Sequence, residues 1–131
     1  DLAVAAGEHE YTPFAFRDLI GHGRPDVLNP DISKVMGLTG GLHVATLAEV
    51  FDKPISVHNA RPTLLTAAHV HYVARARTAT RPQEHPGSRR LAQLWDYFEN
   101  RLVPQNGRMA VPDTPGLGLV VREAAVRAAA V

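Results

Sequence analysis

Pro54-Ile55-Ser56-Val57-His58-Asn59 is a short β-branched run that ends in a histidine and a polar residue, with a helical pattern opening soon after. Two earlier stretches share that grammar. Leu2-Ala3-Val4-Ala5-Ala6-Gly7-Glu8 ends in a carboxylate, and Asp26-Val27-Leu28-Asn29-Pro30-Asp31 ends in another. Each puts a chemically capable side chain where a buried strand runs out, and in parallel α/β architectures active sites are built at the carboxyl ends of strands. Leu2 to Ala6 reads as a strand buried on both faces, Val27-Leu28 as a second and Pro54 to Val57 as a third. Arg81 to Glu84 reads as a short fourth.

Helical patterns separate these runs. Thr12 is a good N-cap and Pro13 suits the first helical position. Phe16, Leu19 and Ile20 then form a buried face, and Gly21 and Gly23 read as the stop. Thr39-Gly40-Gly41 leads into a second helix with Leu42, Ala45 and Ala48 on one side, ending near Phe51-Asp52. Leu64 to Arg77 reads as a third. The order βαβαβαβ with short connections predicts parallel strands joined by right-handed crossovers. The three βα units have similar periods of roughly 25 residues, as a (β/α) repeat requires.

After Pro86 the pattern changes. Ser88 to Arg101 reads as a helix carrying Leu91, Leu94, Trp95 and Phe98. Gly107 to Asp113 reads as a turn and strand, Pro115 to Gly118 as a turn, and Arg122 to Val131 as a terminal helix. The expected division is residues 1–87 as βα units and 88–131 as a segment packing back on them.

The chain has 131 residues, 45% hydrophobic and 21% charged, enough for one modest core. A net charge of +1 implies no bulk attraction to nucleic acid or membrane. No apolar run approaches bilayer length, and no signal peptide is visible. The absence of cysteine excludes a disulfide scaffold and a thiolate metal site, and suits a cytoplasmic protein. The chain starts at Asp1 and enters a strand almost at once, so it reads as a piece of a longer protein or one half of a nicked one.

Glu8, Asp31 and His58 are each ordinary when taken singly: a loop glutamate, a turn aspartate and a solvated histidine are common. Together they are not, because adjacent parallel strands bring their ends to one mouth. A carboxylate there is a natural oxygen ligand for a hard cation such as Mg²⁺. A carboxylate beside an imidazole fixes its tautomer and raises its proton affinity, the relation used in general acid–base catalysis. Glu84, at the end of the fourth strand, would add a hydrogen-bond donor to a developing oxyanion. His69 and His71 raise the possibility of an H-x-H zinc pair, which requires a strand. The alanine-rich and leucine-rich surroundings are helical, so the two rings should diverge. Arg75, Arg77, Arg81, Arg89 and Arg90 form a basic region without interleaved aromatics, which reads as a solvated surface. His9 and Glu10 flank Glu8 and read as exposed loop residues.

Four stretches together resemble one family. Gly7-Glu8-His9-Glu10-Tyr11-Thr12, Asn29-Pro30-Asp31-Ile32-Ser33-Lys34, Val57-His58 and Gly107 to Gly118 (ending Pro112-Asp113-Thr114-Pro115-Gly116-Leu117-Gly118) are similar to the C-terminal half of the enolase superfamily. Within it they most resemble the mandelate racemase-like subgroup and its acid-sugar dehydratases of the rhamnonate dehydratase kind. The resemblance runs to about Val121. It implies the C-terminal part of a modified TIM (β/α) barrel, with a capping domain and the first half of the barrel lying upstream as partners. It implies Glu8 as the last of three Mg²⁺ ligands, Asp31 and His58 as an acid–base dyad, and Glu84 as the carboxylic acid after the eighth strand. Asn29 stands where a glutamine is common, and Met36-Gly37 replaces a usual glycine pair.

The expected activity is therefore that of a lyase. A Mg²⁺-dependent acid-sugar dehydratase would remove the proton α to a carboxylate through an enediolate, and eliminate the β-hydroxyl to give a 2-keto-3-deoxy acid. The alternatives are a racemase or epimerase of a 2-hydroxy acid, and a non-catalytic barrel fragment. A homo-oligomer is expected, with no nucleic-acid or membrane partner.

Overall fold

Three extended segments lie side by side and their ends converge. A computed structural model describes residues 2–87 and 89–130. Strand β1 (Ala5–Ala6) pairs in parallel with β2 (Val27–Leu28), Ala5 opposite Val27 and Ala6 opposite Leu28. Leu28 then bridges Ile55, also in parallel, so the third run lies on the far side of β2. The backbone bonds continue past the assigned strands: Asn29 N donates to Ala6 O (2.9 Å) and His58 N to Pro30 O (3.0 Å). These last rungs carry the register up to Glu8, Asp31 and His58.

The crossovers are helical, as expected. Helix α1 (Pro13–Asp18) opens with the Thr12 hydroxyl accepting from Ala15 N at 3.1 Å, a cap that satisfies one orphan amide. Gly21 does not interrupt the helical course, whose last residue is Gly23. The chain continues through a π-helical turn at Leu19–Gly23 and ends at Arg24, which takes a left-handed conformation with φ 51°. Helix α2 (Gly37–Val50) starts earlier than the Thr39-Gly40-Gly41 signal suggested, because Met36 turns left-handed (φ 66°) and sets its entry. Its buried face is Gly40, Gly41, Val44, Ala45 and Ala48, while Leu42 is exposed. Helix α3 (Leu64–Arg75) matches its expected span to within two residues and buries Thr66, Ala67, His69 and Tyr72.

α1 packs on α2 and α2 on α3, and the core forms between them and the strands. Phe16, Leu28, Val35, Val44, Ala48 and Ile55 are fully buried there. The first strand departs from expectation. Leu2 to Ala5 are exposed rather than buried on both faces, since among the described residues β1 has a partner on one edge alone.

Arg81 to Glu84 is not a strand. It runs as extended chain beside the third segment, and a side chain takes over the ladder. Gln83 Nε2 donates to Ile55 O (3.2 Å) and Gln83 Oε1 accepts from Val57 N (2.9 Å), so one amide group makes the pair of bonds a strand backbone would make. The Ser56 hydroxyl adds a bond to Pro82 O.

The segment expected to be one helix from Ser88 to Arg101 is two shorter pieces. Helix α4 (Arg89–Ala92) passes into a 3₁₀ turn at Gln93–Tyr97; Ser88 lies outside the described residues. Trp95 and Phe98 meet edge to face, their centroids 6.2 Å apart, and form a small separate cluster. Phe98 bridges Val121 antiparallel, which returns the chain to α5 (Glu123–Ala129). The strand expected within 107–113 is absent; a turn closes with paired bonds between Gln105 and Arg108 instead. Among the described residues, no helix is long and apolar enough to cross a membrane.

Candidate active site

Glu8 reaches the mouth because Gly7 lets it. Gly7 has φ 128°, and a Cβ there would stand 2.6 Å from the Phe16 ring, so the chain can turn over the core only without a side chain. Lys34 then ties the loop down: its Nζ donates to the Glu8 carbonyl at 2.9 Å and lies 3.3 Å from His9 Nδ1. The Glu8 carboxylate is left half-exposed, with Oε1 3.0 Å from His9 Nε2 and Oε2 3.4 Å from His58 Nε2.

Asp31 is buried and fully engaged. Its Oδ1 accepts from the Ser33 amide (2.8 Å) and the Ser33 hydroxyl (2.6 Å). Its Oδ2 lies 3.1 Å from His58 Nδ1. A carboxylate oxygen only accepts, so that contact places a proton on Nδ1 and turns Nε2 toward the mouth. Burial alone would raise the Asp31 carboxyl. The Ser33 hydroxyl, His58 and the Ser33 amide outweigh it and hold Asp31 below the ordinary aspartate value.

His58 sits on the mouth side because strand residues alternate. Ile55 and Val57 face the core, and Asn59 continues that face; His58 points the other way, its side chain about one-fifth exposed. The structure thus brings Glu8, Asp31 and His58 together through one imidazole.

Glu84 is elsewhere. Its Oε2 accepts from Asn59 N at 3.0 Å, and its carbonyl accepts from the Asn59 amide group at 3.3 Å. The same Asn59 amide bonds the Thr66 hydroxyl on α3. Among the described residues no hydrogen bond or ion pair joins Glu84 to His58, Asp31 or Glu8. It lies along a cleft of about 370 Å³ between the third segment, α3 and the 104–111 loop, which Val57, Asn59 and His69 also line. That cleft belongs to the core-facing side of the third segment.

His69 and His71 are helical and diverge. His69 is buried and His71 is partly exposed, and no group of three or more His, Asp or Glu side chains among the described residues is placed to hold a metal. His69 bonds Ile32 N instead, through Nε2 at 3.1 Å. Burial pushes its imidazole down to about 4 despite the attraction of Asp31. Ser33 and Lys34, which bond Asp31 and Glu8, and His69, which bonds Ile32 N, are the residues the sequence did not single out for these tasks. Ser33 alone had a local signal, an Asp-x-Ser spacing suited to a side-chain-capped turn.

A family model described as enolase C-terminal domain-like matches residues 1–125. The chain belongs to this family. Its parallel strands and helical crossovers are part of the C-terminal barrel domain of the enolase superfamily. The chain is 31% identical over 125 residues to D-xylonate dehydratase of Haloferax volcanii, covering 95% of this chain and 30% of that protein. It is 30% identical over 129 residues to D-galactonate dehydratase of Ralstonia pickettii, covering 95% of this chain and 34% of the relative. Among solved structures, a mandelate racemase/muconate lactonizing protein from Paracoccus denitrificans complexed with magnesium superposes with a TM-score of 0.85 at 33% identity. The match covers 98% of this enolase-family chain and 34% of that one. The chain therefore spans about a third of the length of the relatives it matches.

Proposed function

We propose that this chain carries the acid–base half of a Mg²⁺-dependent acid-sugar dehydratase. The relatives support the class, since two of the most similar are named dehydratases of sugar acids. The observation that carries the reading is the His58–Asp31 contact at 3.1 Å, with the second Asp31 oxygen taken by Ser33. Asp31 cannot swing away without giving up both Ser33 bonds, so it presents His58 in one orientation.

The chemistry of Glu8 fits one place in a magnesium shell. It offers hard carboxylate oxygens at the mouth, and Lys34 bonds its backbone rather than its carboxylate. Among the described residues no group of three or more His, Asp or Glu is placed for a metal; the remainder of the shell would come from the rest of the barrel, outside this chain. Bound there, the ion would take the substrate carboxylate and the charge that builds on it as the α-proton leaves. His58 Nε2 faces the same opening. It would deliver a proton to the departing β-hydroxyl, or take the α-proton, with Asp31 stabilising the imidazolium. Loss of the α C–H and β C–O bonds releases water, and the enol left behind becomes a 2-keto-3-deoxy acid. Glu84 holds Asn59 N through Oε2, so it would meet substrate through Oε1.

A second reading keeps the proton abstraction and returns the proton to the opposite face, giving racemisation or epimerisation; the mandelate racemase likeness supports it. The test is to incubate the full-length protein with Mg²⁺ and a panel of acid sugars in D₂O and follow them by NMR. Keto acid formation is expected, and α-deuteration without water loss would favour the second reading. His58→Asn should reduce turnover by a factor of roughly 100 or more, within the span attributed to general acid–base catalysis. Unchanged turnover in His58→Asn would remove His58 from the chemistry.

A further inference from the structure

His69 stands in the middle of α3 with its ring against the turn that follows Asp31. It is 2% exposed, a costly place for an imidazole. One nitrogen is used: Nε2 accepts from the amide of Ile32 at 3.1 Å, a bond spanning 37 positions. An amide only donates, so Nε2 must hold its lone pair and the neutral ring must carry its proton on Nδ1. Nδ1 is buried with no partner among the described residues. A leucine would fill the space without that cost, so the ring's value must come from the one acceptor it supplies.

The amide it holds is the one that follows Asp31. Ile32 is itself buried, so without His69 this N–H would have no partner. The peptide joining residues 31 and 32 is thereby pinned from α3. The Asp31 side chain leaves the same unit to meet Ser33 through Oδ1 and His58 through Oδ2. A shift of that peptide would displace the Asp31 backbone from which the carboxylate springs, and Ser33, two residues on in the same turn, would move too. Within the turn the Asp31 carbonyl accepts from the Lys34 and Val35 amides, and Lys34 Nζ ties it to the Glu8 carbonyl; the His69 bond adds the anchor to α3.

We propose that His69 is a positioning residue, whose Nε2 lone pair fixes the Asp31–Ile32 peptide so that Asp31 meets His58 at hydrogen-bond distance. The proposal rests on the reading of Asp31 and His58 as the acid–base pair. It differs from simple core filling in depending on an acceptor at one point in space. A neutral ring is required, and burial secures it, with the imidazole driven down to about 4. A displacement of about 1 Å at a reacting group can cost on the order of 100-fold in rate. That makes a second layer worth the desolvation of Nδ1.

The test uses the full-length protein with three variants. In His69→Gln the side-chain oxygen reaches the place of Nε2; in His69→Asn it stops near the place of Nδ1; His69→Leu has no acceptor. The readouts are kcat and KM on the acid sugar turned over by the wild type, hydrogen exchange of the Ile32 amide, and crystal structures of the variants. His69→Leu and His69→Asn are expected to lower kcat by roughly 10- to 100-fold with KM little changed. They should also speed exchange at Ile32 and lengthen the Asp31–His58 contact, whereas His69→Gln restores all three. Should His69→Leu fail to fold, the Gln and Asn pair still decides the matter. Equal behaviour of Gln and Asn, or an unchanged Asp31–His58 distance in His69→Asn, would overturn the proposal. If the wild type turns over no acid sugar, the dehydratase reading falls, and exchange and crystal geometry still settle the role of His69.

Discussion

His58 stands at the end of a line of three: His69 bonds the peptide after Asp31, Asp31 bonds His58, and His58 Nε2 faces the Glu8 carboxylate. Two of the three were legible in the sequence because they end apolar runs, and a strand end is a local pattern. His69 was not, because its partner is 37 positions away and its surroundings read as an ordinary helix. Its burial has a consequence for stability that requires no substrate. In the unfolded chain it titrates near 6.5, and in the folded protein near 4. Between those values the unfolded chain takes up the proton first. Stability from this group is therefore fully present above pH 6.5 and lost progressively as the pH falls toward 4. The whole effect is on the order of 3 kcal/mol. Asp31 acts lower, since its folded value is depressed and its contribution fades only as the pH falls below 3.8. Urea unfolding of the full-length protein at about pH 7, 5 and 4 separates them. His69→Gln, which has no proton to gain, should lose distinctly less stability over that range than the wild type. Parallel losses would show that other groups dominate the acid limb.

The entry to α2 illustrates how an element can be recognised and its start misplaced. Thr39-Gly40-Gly41 looks like a cap followed by flexible residues, yet the helix has begun by Gly37, and no side chain caps it. The turn is made by Met36 in a left-handed conformation that non-glycine residues adopt at a cost of about 1–2 kcal/mol. Gly40 is there for space: a Cβ would fall 1.8 Å from the Val35 carbonyl oxygen, which is backbone and cannot step aside. The two positions should answer oppositely to substitution. Met36→Gly relieves the left-handed strain at an exposed site and should stabilise by about 1 kcal/mol, after part of the gain is lost to the freer unfolded chain. Gly40→Ala forces α2 off its seat and should destabilise by roughly 2 kcal/mol or more. Chemical denaturation of both variants measures this; the same sign at both positions would refute the account. The fourth strand was misread for a related reason. Residues 81–84 follow the third segment closely enough to look like a strand, but the Gln83 side chain supplies the bonds. Periodicity reports which faces are apolar, and it is silent on whether backbone or side chain completes a ladder.

At the scale of the whole chain, surface area decides how it behaves by itself. It exposes 8580 Å², whereas a folded monomer of 14.2 kDa is expected to expose about 6,800 Å². Large apolar side chains contribute to the exposed surface, several of them at the start of the chain. Leu2 is 92% and Val4 59% exposed, Tyr11 and Phe14 stand open beside them, and among the described residues the outer edge of β1 has no partner. An open parallel edge flanked by large apolar side chains is a template for further pairing. The resemblance pointed to a half barrel, and the surface accounts physically for what that entails: the apolar faces of Leu2 to Ala5 need a strand and helices these residues do not contain. The 131-residue chain expressed alone should therefore bind a hydrophobic dye, melt over a broad range without a cooperative transition, and self-associate in sedimentation velocity. The full-length protein should melt sharply and bind little dye. Val4→Lys in the isolated chain provides an independent control: it charges the open edge and should reduce association without restoring a sharp melt, because the core remains too small. A sharply melting monomer from the isolated chain would mean that the α1, α2 and α3 core is sufficient. Glu8, Asp31 and His58 would then be held in place without the rest of the barrel.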